Sequence, residues 1–443
     1  MTRRTTAKSN GIRTGSSQRA AVRAPEKRDA GRTRTESAPV RRARVPADLV
    51  IVNIGQLLPM TAGRAFEVIS GGAVAIRQGR ILRVGPEAQV VPRYTPTKKL
   101  DARGKVVTPG LVDAHTHVVF AGSREKEFEE RVKGATYQEI AARGGGIASS
   151  VAAVRRRTVQ ELVRESMPRV KRMFEHGTTT AEAKSGYGLS LDDEVKILEA
   201  IRIASGGGPV DLVPTFLGAH AIPREFAEQR DEYVKLVTRQ MIPAVVHGKL
   251  AEFCDVFCER GAFTREESRS ILLAARSAGL KLKIHAEEFS DTGGAMLAAE
   301  LGAVSADHLM AVSDIAIDAL RRAGVVAVLL PCATFFLGLK DYAPARKMID
   351  RGLVVALGTD CNPGSSMTES MQMAMSIACA HMRMTPAEAL LAATLNAARA
   401  IGRESTVGSL EPEKLAHLVI WDVQDYRQIP YHFGVNLAWR VLK

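Results

Sequence analysis

The stretch LVDAHTH, residues 111–117, is an apolar run that ends in two histidines two positions apart. Side chains two apart on a β-strand point to the same side, so His115 and His117 are expected to face the same way at the end of a strand. Two imidazoles held in this way can form half of a metal site. The pair alone is equally compatible with polar residues that close a strand, so ligands from other strands must decide between the two interpretations.

The segment from residue 110 to about residue 402 repeats this pattern. Eight apolar runs that end in polar residues alternate with helical stretches such as LDDEVKILEAIRIAS, residues 191–205. The runs are LVDAHTH, GTTTAEAKSGY, LVPTFLGAHAI, FCDVFCERG, LKLKIHAEEF, AVSADHL, VVAVLLPCATFF and LVVALGTDCNPG. Alternating strands and helices indicate an α/β fold, and eight such units predict a TIM-like (β/α)8 barrel with its active site at the carboxyl ends of the strands.

Segments of different character flank the predicted barrel of residues 110–402. Residues 48–109 and 403–443 contain short β-like runs broken by glycines, which predict a small β-sandwich domain built from both chain ends. Residues 1–47 have almost no large apolar side chains and are predicted to form a disordered basic tail, because they cannot bury enough surface to offset their conformational entropy.

The charge of the chain is concentrated in that tail. The formal net charge is +13, and residues 1–45 hold 13 Lys+Arg against 3 Asp+Glu, which leaves the rest of the chain nearly neutral. Three interpretations of the tail stay open: a functionally neutral extension, an arm that binds polyanions, and a targeting segment. None of them affects the chemistry of the barrel, and we expect no specific nucleic-acid partner.

Two features predict a cytoplasmic protein without a membrane partner. The longest apolar run, residues 325–339, is interrupted by a proline and is shorter than the roughly 20 residues that span a bilayer. The five cysteines form no C-x-x-C pair, which is typical of reduced thiols in a cytosol.

Metal-ligand residue types collect at the ends of the first, fifth and eighth runs. These residues are His115, His117, His285 and Asp360. Three imidazole nitrogens and one carboxylate oxygen suit zinc or another first-row transition metal better than calcium or magnesium. The sequence therefore predicts a site for one divalent or trivalent transition metal, either zinc or iron.

Longer motifs resemble the metal-dependent amidohydrolase superfamily: LVDAHTH, the histidines that end runs five and six, GTDCNPG, and the closing LNAARAIG and VGSLEPEKLAHLVIWD. Over about residues 48–443, further motifs together resemble one family within it, the imidazolonepropionases: FAGSREKEFEER, GATYQEIAARGGGI, AEAKSGYGL, TFLGAHAIP, KIHAEEFSDTGG, DHL, GTDCNPGSS and IPYHFGVN. The resemblance implies a small-molecule substrate, 4-imidazolone-5-propanoate, whose cyclic amide is hydrolysed to N-formimino-L-glutamate in histidine degradation.

The resemblance also implies roles for individual residues. Glu288 is expected to take a proton from water, His308 to polarise the carbonyl or move a proton, and Asp360 to bind the metal and also carry a proton. From spacing alone Glu287 would serve as well as Glu288, because it shares the face of His285; the resemblance favours Glu288. The substrate-binding residues that it implies are Arg124, Tyr137, Tyr187, His220, Glu288, Asn362, Gly364 and Ser365.

The chain departs from its relatives at two points. Many amidohydrolases bridge two metals with a carboxylated lysine on strand four, but AEFCDVFCERGAF contains no lysine, so we predict a mononuclear site. Lys184, on the second run, is the residue that competes with this interpretation. Related amidohydrolases usually have an acidic KDADLV-type turn in the C-terminal sheet, whereas residues 414–419 of this chain are KLAHLV. This departure puts the local packing of that sheet in doubt.

Two other functions remain open from the sequence. One is an amidohydrolase or aminohydrolase that acts on another cyclic amide, an amidine or a nucleobase. The other is a nucleic-acid-binding protein that has the barrel fold of an enzyme. The nearly neutral net charge of the folded part argues against this function. A homodimer is expected by analogy alone.

Overall fold

The computed structural model describes residues 44–61, 63, 66–135, 139–140 and 143–443. Residues 1–43, most of the predicted tail, lie outside this part of the chain. The first strand begins at Val45, so the last three residues of the segment predicted as tail, residues 1–47, belong to a strand.

Fifteen strands are found in the described residues. They are β1 (Val45–Leu57), β2 (Ile69–Arg77), β3 (Arg80–Pro86), β4 (Tyr94–Asp101), β5 (Val106–Pro109), β6 (Leu111–Asp113), β7 (Thr178–Lys184), β8 (Asp211–Ala219), β9 (Phe253–Cys258), β10 (Lys281–Ala286), β11 (Ser305–His308), β12 (Val326–Leu329), β13 (Val355–Leu357), β14 (Leu418–Trp421) and β15 (Ala438–Leu442).

Strands from both ends of the chain form one seven-stranded sheet. Its order is β15-β14-β5-β1-β2-β3, and β4 also pairs with β1. The long strand β1 pairs with β2 along one edge and with β4 and then β5 along the other. Ile54, Val74, Val107 and Leu418 from four of these strands pack into a shared apolar core. Strands from both chain ends thus meet in an additional sheet, and the division into a separate β-sandwich domain of residues 48–109 and 403–443 stays a prediction.

The eight remaining strands form a parallel sheet in sequence order, from β6 to β13. The sheet closes on itself, because the backbone N–H of Asp360 donates to the carbonyl of His115 at 2.9 Å and that of His117 donates to Cys361 at 3.0 Å. Seven of the eight predicted runs contain one of these strands, and the run LVPTFLGAHAI contains β8 except for its first residue, Asp211. The predicted fold class, an α/β protein with a TIM-like (β/α)8 barrel, is confirmed.

Most helices follow barrel strands; Glu87–Val90 instead packs against β2 and β3, and Gln428–Tyr431 follows β14. Their bounds are Glu87–Val90, Glu125–Val132, Ile147–Arg155, Val159–Glu175, Leu191–Gly207, Arg230–Leu236, Ile242–His247, Arg265–Ser277, Gly294–Leu301, Asp314–Ala323, Pro331–Phe336, Ala345–Asp350, Met371–Met382, Pro386–Ala392, Leu395–Ala400 and Gln428–Tyr431. Strand residues such as Ala181 and Val256 share one apolar core with helix residues such as Leu198 and Leu272.

Local sequence determines where several of these helices begin. At Val159–Glu175 the Thr158 hydroxyl accepts the N–H of Glu161 while the Glu161 carboxylate accepts the N–H of Thr158, which satisfies two backbone donors that a helix start leaves unpaired. The same capping box precedes Arg265–Ser277 and Pro386–Ala392. Among the described residues no helix is both long and apolar enough to cross a bilayer. All five cysteines are free thiols.

Candidate active site

A cavity of about 680 Å³ opens at the carboxyl ends of the barrel strands. The sequence-predicted residues that line it are His117, Arg124, Tyr187, His220, His285, Glu288, His308, Asp360, Asn362, Gly364 and Ser365. His115 lies against the same cluster and is fully buried. Tyr137, the remaining predicted residue, lies outside the described part of the chain.

The four predicted metal ligands meet at the floor of this cavity. Ligand atoms of His115, His117 and His285 all lie within 4.8 Å of one another. The Oδ1 atom of Asp360 lies 3.6 Å from Nε2 of His115 and 3.6 Å from Nε2 of His117. Nε2 of His115 and Nε2 of His285 are buried and have no hydrogen-bond partner among the described residues. Because such atoms are costly unless another group uses their lone pairs, this donor set fits a transition-metal cation.

Three imidazoles of the cluster, those of His115, His117 and His308, are held in the neutral form. Burial, reinforced by the neighbouring imidazoles and the Lys184 ammonium, holds the pKa of His115 and His117 well below the usual value. The same two causes hold the pKa of His308 well below its usual value. Neutral imidazole is the form that binds a metal, so the electrostatics of the cavity favour that role.

Two of the ligand imidazoles rest on buried carboxylates. Nδ1 of His115 lies 2.6 Å from Oδ2 of Asp307, and Nδ1 of His285 lies 3.0 Å from Oδ2 of Asp255. A carboxylate on one ring nitrogen orients the ring and leaves the other nitrogen for a metal. The sequence analysis missed both carboxylates. The available signal was an acidic residue inside a buried barrel strand, at FCDVFC in β9 and SADH in β11.

Lys184, considered above as a bridging ligand, contacts carboxylates instead. Its Nζ atom lies 2.6 Å from Asp255, 2.8 Å from Glu182 and 3.4 Å from Asp307. Burial would lower the pKa of Lys184, but these three carboxylates outweigh burial and raise it. A protonated amine neither coordinates a metal nor forms a carbamate, so this geometry favours the mononuclear site.

Glu288 and His308 lie side by side above the ligands. The Oε2 atom of Glu288 lies 3.7 Å from Nε2 of His308. Burial, followed by the charges of Asp360 and Glu259, raises the pKa of Glu288 well above its usual value, as suits a group that exchanges protons near neutral pH. Glu287 is engaged elsewhere: its carboxylate accepts the N–H of Ala295 at 2.8 Å.

Arg124 enters the cavity beside the loop that follows β13. Its Nε donates to Glu127 at 2.8 Å. A Cβ on Gly364 would lie only 2.2 Å from Nη1 of Arg124, so the guanidinium occupies space that a glycine leaves open. Oδ1 of Asn362 accepts the backbone N–H groups of Gly364 and Ser365, both at 2.8 Å, which holds this loop against the cavity.

Tyr187 and His220 line the cavity next to His117. The His220 ring stacks on His117, with centroids 5.0 Å apart and an interplanar angle of 12°. Nδ1 of His220 lies 3.0 Å from the carbonyl of Gly186, and burial lowers the pKa of His220 to about 3. The loop that carries Tyr187 is held by the buried Glu194 carboxylate, which accepts the N–H groups of Gly186, Gly188 and Leu189 at 3.0, 2.8 and 2.8 Å. Sequence reasoning missed Glu194.

Two further side chains play no direct part in the cluster. Burial raises the pKa of the Cys361 thiol well above its usual value, which agrees with a structural role for this residue rather than a thiolate ligand. Glu259, at the end of β9, accepts the N–H groups of Phe289 and Ser290 at 2.9 and 3.2 Å. It therefore holds the backbone directly after Glu288, a function that the sequence did not reveal.

Comparison with known proteins places this geometry in context. The sequence profile of the amidohydrolase family matches residues 106–440. The chain is 51% identical over 410 residues to an imidazolonepropionase of Geobacillus kaustophilus (strain HTA426), which covers 91% of this chain and 96% of that protein. It is 50% identical over 409 residues to an imidazolonepropionase of Symbiobacterium thermophilum, which covers 90% of this chain and 96% of the relative.

Two solved structures with the same fold are more distant in sequence than these relatives. An adenosine deaminase from Xanthomonas campestris with bound zinc has a TM-score of 0.67 at 20% identity and covers 90% of this chain and 92% of its own. A 5-methylcytosine deaminase from Klebsiella pneumoniae has a TM-score of 0.70 at 16% identity, with 89% and 95% covered. At these identities the likeness shows the fold alone.

Proposed function

The chain belongs to the amidohydrolase family and, within it, to the imidazolonepropionases, and from this membership we propose how its residues carry the reaction. The reaction is hydrolysis of the cyclic amide of 4-imidazolone-5-propanoate to N-formimino-L-glutamate. The observation that carries the proposal is that one cavity brings together the cluster of three imidazoles and one carboxylate, a buried glutamate and an arginine. These are the groups needed to activate water, to move its proton and to hold the substrate carboxylate.

The proposed cofactor is a single zinc or iron ion held by His115, His117, His285 and Asp360. Such an ion, when bound, lowers the pKa of a water ligand to about 7 and polarises a carbonyl oxygen. The chain contributes the buried carboxylates behind His115 and His285, which keep both rings in orientation.

Glu288 is the proposed general base. As water attacks the amide carbonyl carbon, Glu288 accepts one water proton at a carboxylate oxygen. It then delivers that proton to the ring nitrogen, so that the new carbon–oxygen bond forms and the carbon–nitrogen bond breaks with no net gain or loss of protons. Its raised pKa suits both transfers, because the carboxyl group can hold the proton between the two steps.

His308 is the proposed electrophile beside this base. Burial keeps its imidazole neutral, so it can donate one N–H to the oxygen on which negative charge develops. Oε2 of Glu288 lies 3.7 Å from Nε2 of His308, longer than a hydrogen bond, so proton transfer between the two groups stays a prediction. Asp360 is assigned to the metal, and a share in proton transfer stays a prediction.

Arg124 is the proposed partner of the substrate propionate. A guanidinium binds a carboxylate through two parallel N–H donors, and Glu127 fixes the direction from which Arg124 approaches. Asn362, Gly364 and Ser365 are proposed to form the wall beside Arg124, and Tyr187 and His220 to form another part of the substrate-binding wall. Tyr137 stays a prediction. So do the homodimer and the cytoplasmic location.

The decisive test follows the loss of imidazolonepropionate absorbance, with the substrate generated freshly by a urocanate hydratase. Purified protein is stripped with a chelator and reconstituted with Zn²⁺ or Fe²⁺, and both samples are compared with uncatalysed decay. We expect turnover that disappears with the metal and returns with it. Absence of turnover by folded, metal-loaded protein would contradict the proposal and direct the search to other cyclic amides, amidines and nucleobases.

Deleting residues 1–45 tests the nucleic-acid alternative with the same assay. We expect the truncated protein to retain full turnover and to lose any affinity for a polyanion such as heparin. Loss of turnover with retained polyanion binding would contradict the assignment of catalysis to the barrel.

A further inference from the structure

A layer of charged side chains lies inside the barrel, against the ligand cluster. It consists of Glu182, Lys184, Asp255, Lys283 and Asp307, each of which is 0% exposed. Barrel interiors are usually filled by branched apolar side chains, and buried charges are costly unless each is paired. Two lysines and three carboxylates in this layer therefore require a reason beyond packing.

Lys184 is the only described side chain that joins both carboxylates behind the ligand imidazoles. Its Nζ lies 2.6 Å from Oδ2 of Asp255 and 3.4 Å from Oδ2 of Asp307. The same Oδ2 atoms face Nδ1 of His285 and Nδ1 of His115. The Lys184 ammonium is therefore linked to His285 through Asp255 and to His115 through Asp307.

The positions of these residues make the link rigid. Lys184, Asp255 and Asp307 lie on β7, β9 and β11, alternate strands of the barrel, whose inward side chains share a layer. Asp307 is held further by the hydroxyl of Ser305 at 2.6 Å, and Asp255 by the N–H of Val256 at 2.8 Å. Neither carboxylate can turn away from its histidine without breaking these contacts and losing the ammonium.

We propose that Lys184 is a positioning residue for the metal site: it holds Asp255 and Asp307 so that the free nitrogens of His285 and His115 converge on the cation. This inference rests on the metal site of the proposed function. The lysine thereby acts on the metal through a carboxylate and an imidazole, in place of the bridging role that its residue type would permit.

Lys283 provides a matched control from the same layer. It is equally buried, and its Nζ contacts Glu182 at 2.8 Å and the carbonyl of Ala114 at 3.4 Å. Removing either lysine deletes one positive charge beside the site, which by charge alone would strengthen cation binding in both variants. If Lys184 positions the two carboxylates, its removal should weaken cation binding instead. Removal of Lys283 should not weaken it.

The experiment measures metal affinity rather than turnover. Zn²⁺ affinity is determined by chelator competition for the wild type, Lys184→Met and Lys283→Met, and Co²⁺ titration adds a visible spectrum that reports coordination geometry. We expect Lys184→Met to weaken Zn²⁺ binding by about 10- to 100-fold and to alter the Co²⁺ spectrum, the range seen when contacts behind metal ligands are removed. Lys283→Met should bind Zn²⁺ at least as tightly as the wild type and keep its spectrum.

A charge-balanced pair covers the case in which the single variant does not fold. Lys184→Met with Glu182→Gln removes one charge of each sign and leaves Asp255, Asp307 and their histidines unsubstituted, and Lys283→Met with Glu182→Gln is its control. Wild-type affinity and spectrum in the folded Lys184 variant, or equal loss in both lysine variants, would overturn the inference. Failure of the wild type to bind a metal would instead overturn the proposed function, so the two failures are distinguishable.

Discussion

Gly364→Ala tests whether the glycine of the loop after β13 exists to admit Arg124. A Cβ at this position would lie 2.2 Å from Nη1, 2.9 Å from Cζ and 3.3 Å from Nη2 of Arg124, whereas ordinary contact begins at 3.4 Å. The backbone of Gly364 does not lie in the left-handed region, so alanine can adopt it without strain. The guanidinium, the mobile end of a long side chain, must therefore move by about 1 Å or more.

This displacement predicts a defect in substrate binding. A charge-assisted hydrogen bond contributes about 1.5–3 kcal/mol, so its loss should lower kcat/KM by roughly 10- to 100-fold. Because the propionate is bound in the ground state and the transition state alike, the change should appear as a higher KM with kcat almost unchanged. The continuous absorbance assay with fresh substrate measures both constants, and thermal unfolding should show that stability is nearly retained.

Arg124→Ala supplies the control for this prediction. In that background the new methyl group has no guanidinium to displace, so adding Gly364→Ala should change kcat/KM little, and the two effects should be far from additive. A wild-type KM for Gly364→Ala would refute the argument. An equal loss with and without Arg124 would also refute it, because the effect would then come from the loop itself.

Three further predictions address the base, the loop under Tyr187 and a buried histidine of the β domain. Glu288→Gln should lower turnover by about 10²- to 10⁴-fold with Zn²⁺ affinity retained in chelator competition, and undiminished turnover would assign the base elsewhere. Glu194→Ala removes the acceptor of three backbone N–H groups and should raise KM more than it lowers kcat; an unchanged KM would separate this loop from substrate binding. Burial lowers the pKa of His417 to about 4, so its protonation favours the unfolded chain, and its contribution to stability is complete above pH 6.5 and is lost as the pH falls towards 4. Over that interval urea unfolding should show the wild type losing up to about 3 kcal/mol relative to His417→Leu, and parallel profiles would contradict the assignment.

Local pattern accounts for the part of the site that could be predicted. His115 and His117 follow an apolar run with a period of two, and that period alone indicates a shared direction. The eightfold alternation of runs and helices then brings the ends of the strands to one face, so His285 and Asp360 could be assigned to the same place. The choice of Glu288 over Glu287 came from the resemblance, since both positions satisfy the spacing. In the structure Glu287 accepts the N–H of Ala295, a contact that spacing cannot reveal.

The sequence by itself determined the barrel, its β-rich flanks and the types of ligand, because these depend on periodicities within single strands and helices. Only the tertiary structure decided which buried charges meet inside the barrel. Asp307 lies 192 positions from His115, and Lys184 lies 71 positions from Asp255. Strand period specifies the side to which each residue points, but closure of the barrel specifies the partner across it. A buried acid in an apolar strand therefore becomes interpretable only when its neighbour from another strand is known.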